Sequence, residues 1–209
     1  MAYSHFKTVE EVARKFDIEV TNKTAFISQK EINVLESLFS IITENINDGI
    51  SFVNEVTICE RIISPILIIV SRNYEQLNVW SHVSYNVDEK KGLVGEPDYL
   101  IAPRTKYGGM ARPSLCVIEA KRDDFEEGWA QALAEMVASS LLDAKLCYGV
   151  VTTGKTWEFG KLENNVFTLD PISISATDNL QKTFNILNWM FDKISKPDGS
   201  VGAIPCGCP

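Results

Sequence analysis

Residues 114–121, SLCVIEAK, are apolar on both alternating faces before the run closes on Glu119 and Lys121. A strand apolar on both sides cannot lie at a solvated surface; it belongs inside a sheet that is covered on both faces. The rest of the chain supplies the cover. Val9, Val12, Ala13 and Phe16 stand at helical spacing over 7–16, and a second amphipathic helix is predicted over 30–46. Residues 52–71 are apolar on most sides, which predicts a buried helix, kinked or broken at Pro65. Asp123 or Asp124 can cap a helix over 124–144. Its Phe125, Trp129, Leu133 and Met136 are bulky, while Ala130, Ala134 and Ala138 leave a small-residue face for close approach to a sheet. A last helix is predicted over 178–194.

Further strands are expected at 78–87, 93–101 and 147–153, with a hairpin around Glu163-Asn164-Asn165. The order predicts an α/β (α+β) fold, a mixed central sheet flanked by helices, with N-terminal helices ahead of it. Residues 1–50 read as an N-terminal helical extension, 51–195 as the core domain and 196–209 as a flexible C-terminal tail.

The 209 residues suit one domain. The longest apolar run, Ile66–Val70, falls far short of the ~18 residues of a membrane span, and the N-terminus has no leader pattern. A cytoplasmic protein with no membrane partner is therefore expected. Five cysteines without a CxxC spacing argue against a disulfide framework, and Cys206 with Cys208 offers too few ligands for a structural zinc site. The net charge of −8 counts against a nucleic-acid partner. The charge is uneven, however: residues 61–122 carry nine basic and six acidic side chains, the remainder 11 and 22.

One motif misleads. Gly149–Thr156, GVVTTGKT, fits GxxxxGK[ST] letter for letter. A phosphate cradle needs a flexible turn and then a helix N-terminus. Here Val150 and Val151 favour extended chain, and WEFGKLENN after Thr156 reads as a hairpin. A strand leading into a Thr-Gly-Lys turn is the better reading, with a nucleotide binder as the weaker one.

The acidic positions carry more. Acid-x-Lys occurs four times, but only Glu119/Lys121 follows an apolar strand, and period-two alternation puts both on one face. If strands 93–101 and 114–121 pair, Asp98 reaches the same end. Two carboxylates with room for water suit Mg²⁺ (or Mn²⁺). A neighbouring lysine suits charge developing on a phosphate. With only His5 and His82 in the chain, histidine-based metal sites are not expected.

Pro97-Asp98 followed by Glu119-Ala120-Lys121 after an apolar strand resembles the PD-(D/E)xK nuclease superfamily of restriction-endonuclease-like folds. GLVGEPDYLI, VIEAK, GWAQALAEM and YGVVTTGKTWEF together look like a group of uncharacterised nuclease-like proteins familiar from cyanobacteria. The resemblance covers about residues 52–194. It implies a restriction-endonuclease-like core and a Mg²⁺-dependent DNA endonuclease. Asp98, Glu119 and the Ala120 carbonyl would bind metal, and Lys121 would position the nucleophile. Glu60 would hold a second metal or support the ligands, or else simply pair with a neighbour. Gln131 would orient Lys121 or a phosphate, or stand as a surface amide. Arg61 would contact a phosphate or pair with Glu60. Arg104, Lys106 and Arg112 would track a DNA backbone or form a plain exposed loop. RNA as substrate and a homodimer that cuts both strands stay open. So does a nuclease fold that binds nucleic acid or protein without cutting.

Overall fold

The structure is a computed structural model that describes residues 2–196; the tail with Cys206 and Cys208 lies outside the described residues. Eight strands form one mixed sheet in the order β1-β7-β6-β5-β4-β3-β2, with β8 added beside β6. The strands are β1 (Glu19–Val20), β2 (Asn78–Ser81), β3 (Tyr99–Ala102), β4 (Cys116–Ala120), β5 (Leu146–Thr152), β6 (Thr156–Glu163), β7 (Val166–Leu169) and β8 (Ile174–Ser175). The helices are α1 (Val9–Phe16), α2 (Glu36–Asn47), α3 (Glu55–Ile58), α4 (Ser64–Ser71), α5 (Phe125–Ser140) and α6 (Ala176–Ser195). The mixed sheet with flanking helices is as expected.

The apolar run 114–121 does form a central strand. Every residue of β4 is buried, with β3 antiparallel on one side and β5 parallel on the other. A parallel pair needs a crossover connection, and α5 makes it. Alternation divides the sheet between two cores. Ile118, Tyr99 and Val150 face α4 and α6; Val117, Leu100 and Val151 face α5 and α1. Glu119 and Lys121 share the parity of Val117, so they lie on the α5 side at the end of β4.

The P-loop lookalike is strand, turn and strand. Gly149 lies in β5 opposite Gly160 of β6. A Cβ at Gly160 would come within 2.8 Å of the Trp129 ring, and one at Gly149 within 3.1 Å. The glycine pair is a slot for the indole, not a phosphate cradle. The second glycine of the lookalike, Gly154, has φ +79 in the turn into β6.

Several elements are shorter than the sequence predicts. The strand over 78–87 ends at Ser81, because His82 turns the chain with φ 47. The strand over 93–101 starts only at Tyr99, after Gly95 and Pro97. The helix over 30–46 starts at Glu36; Lys30 and Ile32 instead donate their backbone N–H groups to Asn185 on α6.

Residues 55–71 stay helical past Pro65 through a π-helical segment, Cys59–Ile63. Proline removes the N–H that the Arg61 carbonyl would accept in an α-helix. The Asn45 side-chain amide donates to that carbonyl at 3.0 Å instead.

The first 50 residues, read as a helical extension, contribute β1 and fill both cores. Tyr3, Phe6 and Val12 are buried on the α5 side, and Ile42 and Ile46 on the other.

Candidate metal centre

Asp98 immediately precedes β3, and the β3–β4 register (Tyr99 opposite Ile118) carries it to a position opposite Glu119. Asp98 Oδ2 accepts the backbone N–H of Ala120 at 2.8 Å, which fixes the carboxylate against the end of β4. Lys121 follows directly, its Nζ 3.5 Å from Glu119 Oε2. Gly128 makes the approach of α5 feasible: a Cβ there would lie 2.5 Å from Val151 and 3.0 Å from the Lys121 stem. One and two turns further along α5, Gln131 and Glu135 face the same place and are buried.

Three carboxylates thus approach one another, Glu119 and Glu135 buried and Asp98 partly so. Burial and the charge of Asp98 push Glu119 up to about 7, against the pull of Lys121. Burial also raises Asp98, opposed by the Ala120 N–H and by Lys121. Glu135 is held well above the usual carboxylate range by burial and by Glu119, with which it shares a hydrogen bond. Burial pulls Lys121 down, yet Glu119, Glu55 and Asp98 outweigh that and raise it. The ion pair therefore strengthens the lysine's charge without securing that of Glu119: one ammonium does not offset burial plus a second carboxylate.

Two oxygens show what the cluster lacks. Gln131 Oε1 and Glu135 Oε2 are buried with no hydrogen-bond partner among the described residues. A buried acceptor without a donor costs about 1–3 kcal/mol. Orphaned acceptors beside mutually repelling carboxylates form an oxygen-rich set that fits a hard divalent cation. Asp98, Glu119 and Glu135 would hold it by drawing together, since their ligand atoms do not all lie within 4.8 Å of one another.

Asp98, Glu119, Ala120 and Lys121 are therefore brought together, and Gln131 stands one turn before Glu135 on α5. The other expected residues are not brought there. Glu60 is exposed, on the face of the π-helical segment opposite the buried Cys59, Ile62 and Ile63. Glu55 is the acid of this helix whose charge acts on Lys121. Arg61 pairs with Asp48 at 2.9 Å rather than with Glu60. Arg104, Lys106 and Arg112 sit in the loop joining β3 to β4, at the opposite end of the hairpin from Asp98 and Glu119. Within it Arg104 bonds the Gly108 carbonyl, Lys106 lies over the Tyr107 ring, and Arg112 covers Tyr85.

Glu135 was missed in the sequence because an acid on a helix reads as a solvated face. Its spacing of four from Gln131, amid Ala132, Ala134 and Met136, was the available signal. A scan against protein-family models returns no match, and no curated protein is significantly similar to the chain.

Proposed function

We propose that the chain is a Mg²⁺- or Mn²⁺-dependent nuclease of the PD-(D/E)xK, restriction-endonuclease-like kind, hydrolysing phosphodiester bonds in DNA. The observation that carries the reading is the approach of the partly buried Asp98 to the buried Glu119 and Glu135 beside Lys121. The surrounding order supports it: an antiparallel β3–β4 pair, then α5 crossing to β5, with the acids on the end of the pair that α5 covers. A hard divalent cation in this site supplies charge neutralisation for a phosphate and acidity for the attacking water.

The chain's own residues do the rest. Asp98, pinned by the Ala120 N–H, and Glu119 would hold the cation. Lys121, kept protonated by its acidic neighbours, stabilises charge developing on the phosphate oxygens. Gln131 offers its buried amide to hold Lys121 or the phosphate.

The overall charge of −8 and the distance of Arg104, Lys106 and Arg112 from the acids favour one rival, a nuclease fold that binds without cutting. The test is cleavage of labelled linear duplex, single-stranded and branched DNA, and of RNA, with Mg²⁺ or Mn²⁺. Wild type should cut with metal and not in chelator, and Lys121→Ala should lose at least ~100-fold in rate. Wild type that binds nucleic acid without cutting any substrate would establish the rival.

A further inference from the structure

Asp98 has a second face. Its Oδ1 lies 3.7 Å from His82 Nδ1, while Oδ2 is engaged with Ala120. Cys59 completes a group whose ligand atoms, one each from Cys59, His82 and Asp98, all lie within 4.8 Å of one another. These residues come from three separate elements: the π-helical segment, the residue after β2, and the residue before β3. The backbone holds them there specifically. His82 adopts φ 47 and donates its N–H to the Asp98 carbonyl at 3.1 Å, while the π segment turns Cys59 inward.

We infer that Cys59, His82 and Asp98 form a three-ligand site for Zn²⁺, distinct from the carboxylate cluster and sharing only Asp98 with it. Thiolate, imidazole and carboxylate are the donors Zn²⁺ accepts, whereas a hard ion such as Mg²⁺ disfavours sulfur. Zinc bonds of about 2.0–2.3 Å place ligand atoms roughly 3.3–3.8 Å apart, so the His82–Asp98 pair already fits and Cys59 has at most about an ångström to close. Charge also fits: one thiolate and one carboxylate neutralise the ion in a place where a net charge would be expensive. On binding, the Cys59 thiol gives its proton to the buffer and its sulfur lone pair to the metal. The His82 ring is half exposed, which gives the ion an entry from solvent and leaves a fourth position for water. The inference rests on this geometry and not on the nuclease reading.

The test uses full-length reduced protein stripped of metal, with Co²⁺ as the spectroscopic stand-in for Zn²⁺. The tail thiols are removed by Cys206→Ser/Cys208→Ser, so that any thiolate signal comes from the described residues. This protein should show the near-ultraviolet thiolate-to-cobalt band at one equivalent, and one equivalent of Zn²⁺ should erase it. Cys59→Ser should abolish the band. His82→Asn, which keeps a side chain tolerant of the left-handed backbone, should weaken Co²⁺ binding at least ~10-fold. Asp98→Asn removes a ligand from both sites, whereas Cys59→Ser leaves Mn²⁺ binding by the carboxylates intact; the two proposals can therefore fail separately. Absence of the band in the tail-substituted protein, or its persistence in Cys59→Ser or at full affinity in His82→Asn, would overturn the inference.

Discussion

At the scale of single residues, the molecule keeps acids where water cannot reach them. Glu119 ionises near 7 in the folded chain and near the ordinary glutamate value when unfolded. Below that ordinary value both states hold the proton and no penalty exists. Between it and about 7 the unfolded chain ionises first, so the folded state loses stability as pH rises; above about 7 the loss is complete. Chemical denaturation in EDTA should therefore show stability falling as pH rises from about 4.5 to about 7, and the raised Glu135 should add to that fall. Glu135→Gln removes that second raised acid, so it should make the fall shallower while weakening Mn²⁺ binding. An unchanged fall in Glu135→Gln would show that Glu135 does not contribute to it.

Legibility in the sequence also divides by residue. Asp98, Glu119 and Lys121 could be read because they interrupt or end apolar strands, where period two fixes the side on which each lies. Glu135 could not, since helical acids usually face solvent. The acid on the preceding helix was misplaced because the apolar pairs Ile58-Cys59 and Ile62-Ile63 turn inward and leave Glu60 outside, while Glu55 is the acid whose charge acts on Lys121. No local sequence signal announces a π segment. Nor does the alternation over 78–87 reveal that His82 adopts a left-handed backbone and leaves the strand.

Elements depend on contacts the sequence hides until partners are known. Gly149 and Gly160 pass as ordinary strand glycines, yet together they admit Trp129, whose indole N–H donates to Glu158 at 2.9 Å. Gly160→Ala should overpack this slot and cost ~1–3 kcal/mol in urea unfolding, and Trp129→Phe should recover part of the loss. Asn45 and Pro65 are coupled through the Arg61 carbonyl. Asn45→Ala should cost about 1 kcal/mol in the native chain and less in Pro65→Ala, where the backbone N–H returns to the helix. Equal costs in both backgrounds would show that Asn45 does not replace the missing donor.

For the whole molecule, the central apolar strand set the architecture correctly: one mixed sheet, helices on both faces, and the acids on the side that α5 covers. The first 50 residues were harder to place because two turns of amphipathic helix do not say what they cover. In the structure α1 and the segment before it close the outer face of α5, with Lys7 paired to Glu127 at 2.8 Å. Removing residues 1–20 should thus expose α5 and β7 and lower the melting temperature by at least ~10 °C, since Tyr3, Phe6 and Val12 would each forfeit roughly 1.5–3 kcal/mol of burial. No helix of the described residues is long and apolar enough to cross a membrane.

The central claim is that the partly buried Asp98 and the buried Glu119 and Glu135 together hold a hard divalent cation. Calorimetric titration of Mn²⁺ into chelator-stripped protein at a pH above 7 tests it most directly. The account predicts saturable binding that is lost in Asp98→Asn and Glu119→Gln and retained in Lys121→Ala and Cys59→Ser. No binding by the native chain, or equal binding by the two carboxylate variants, would contradict it.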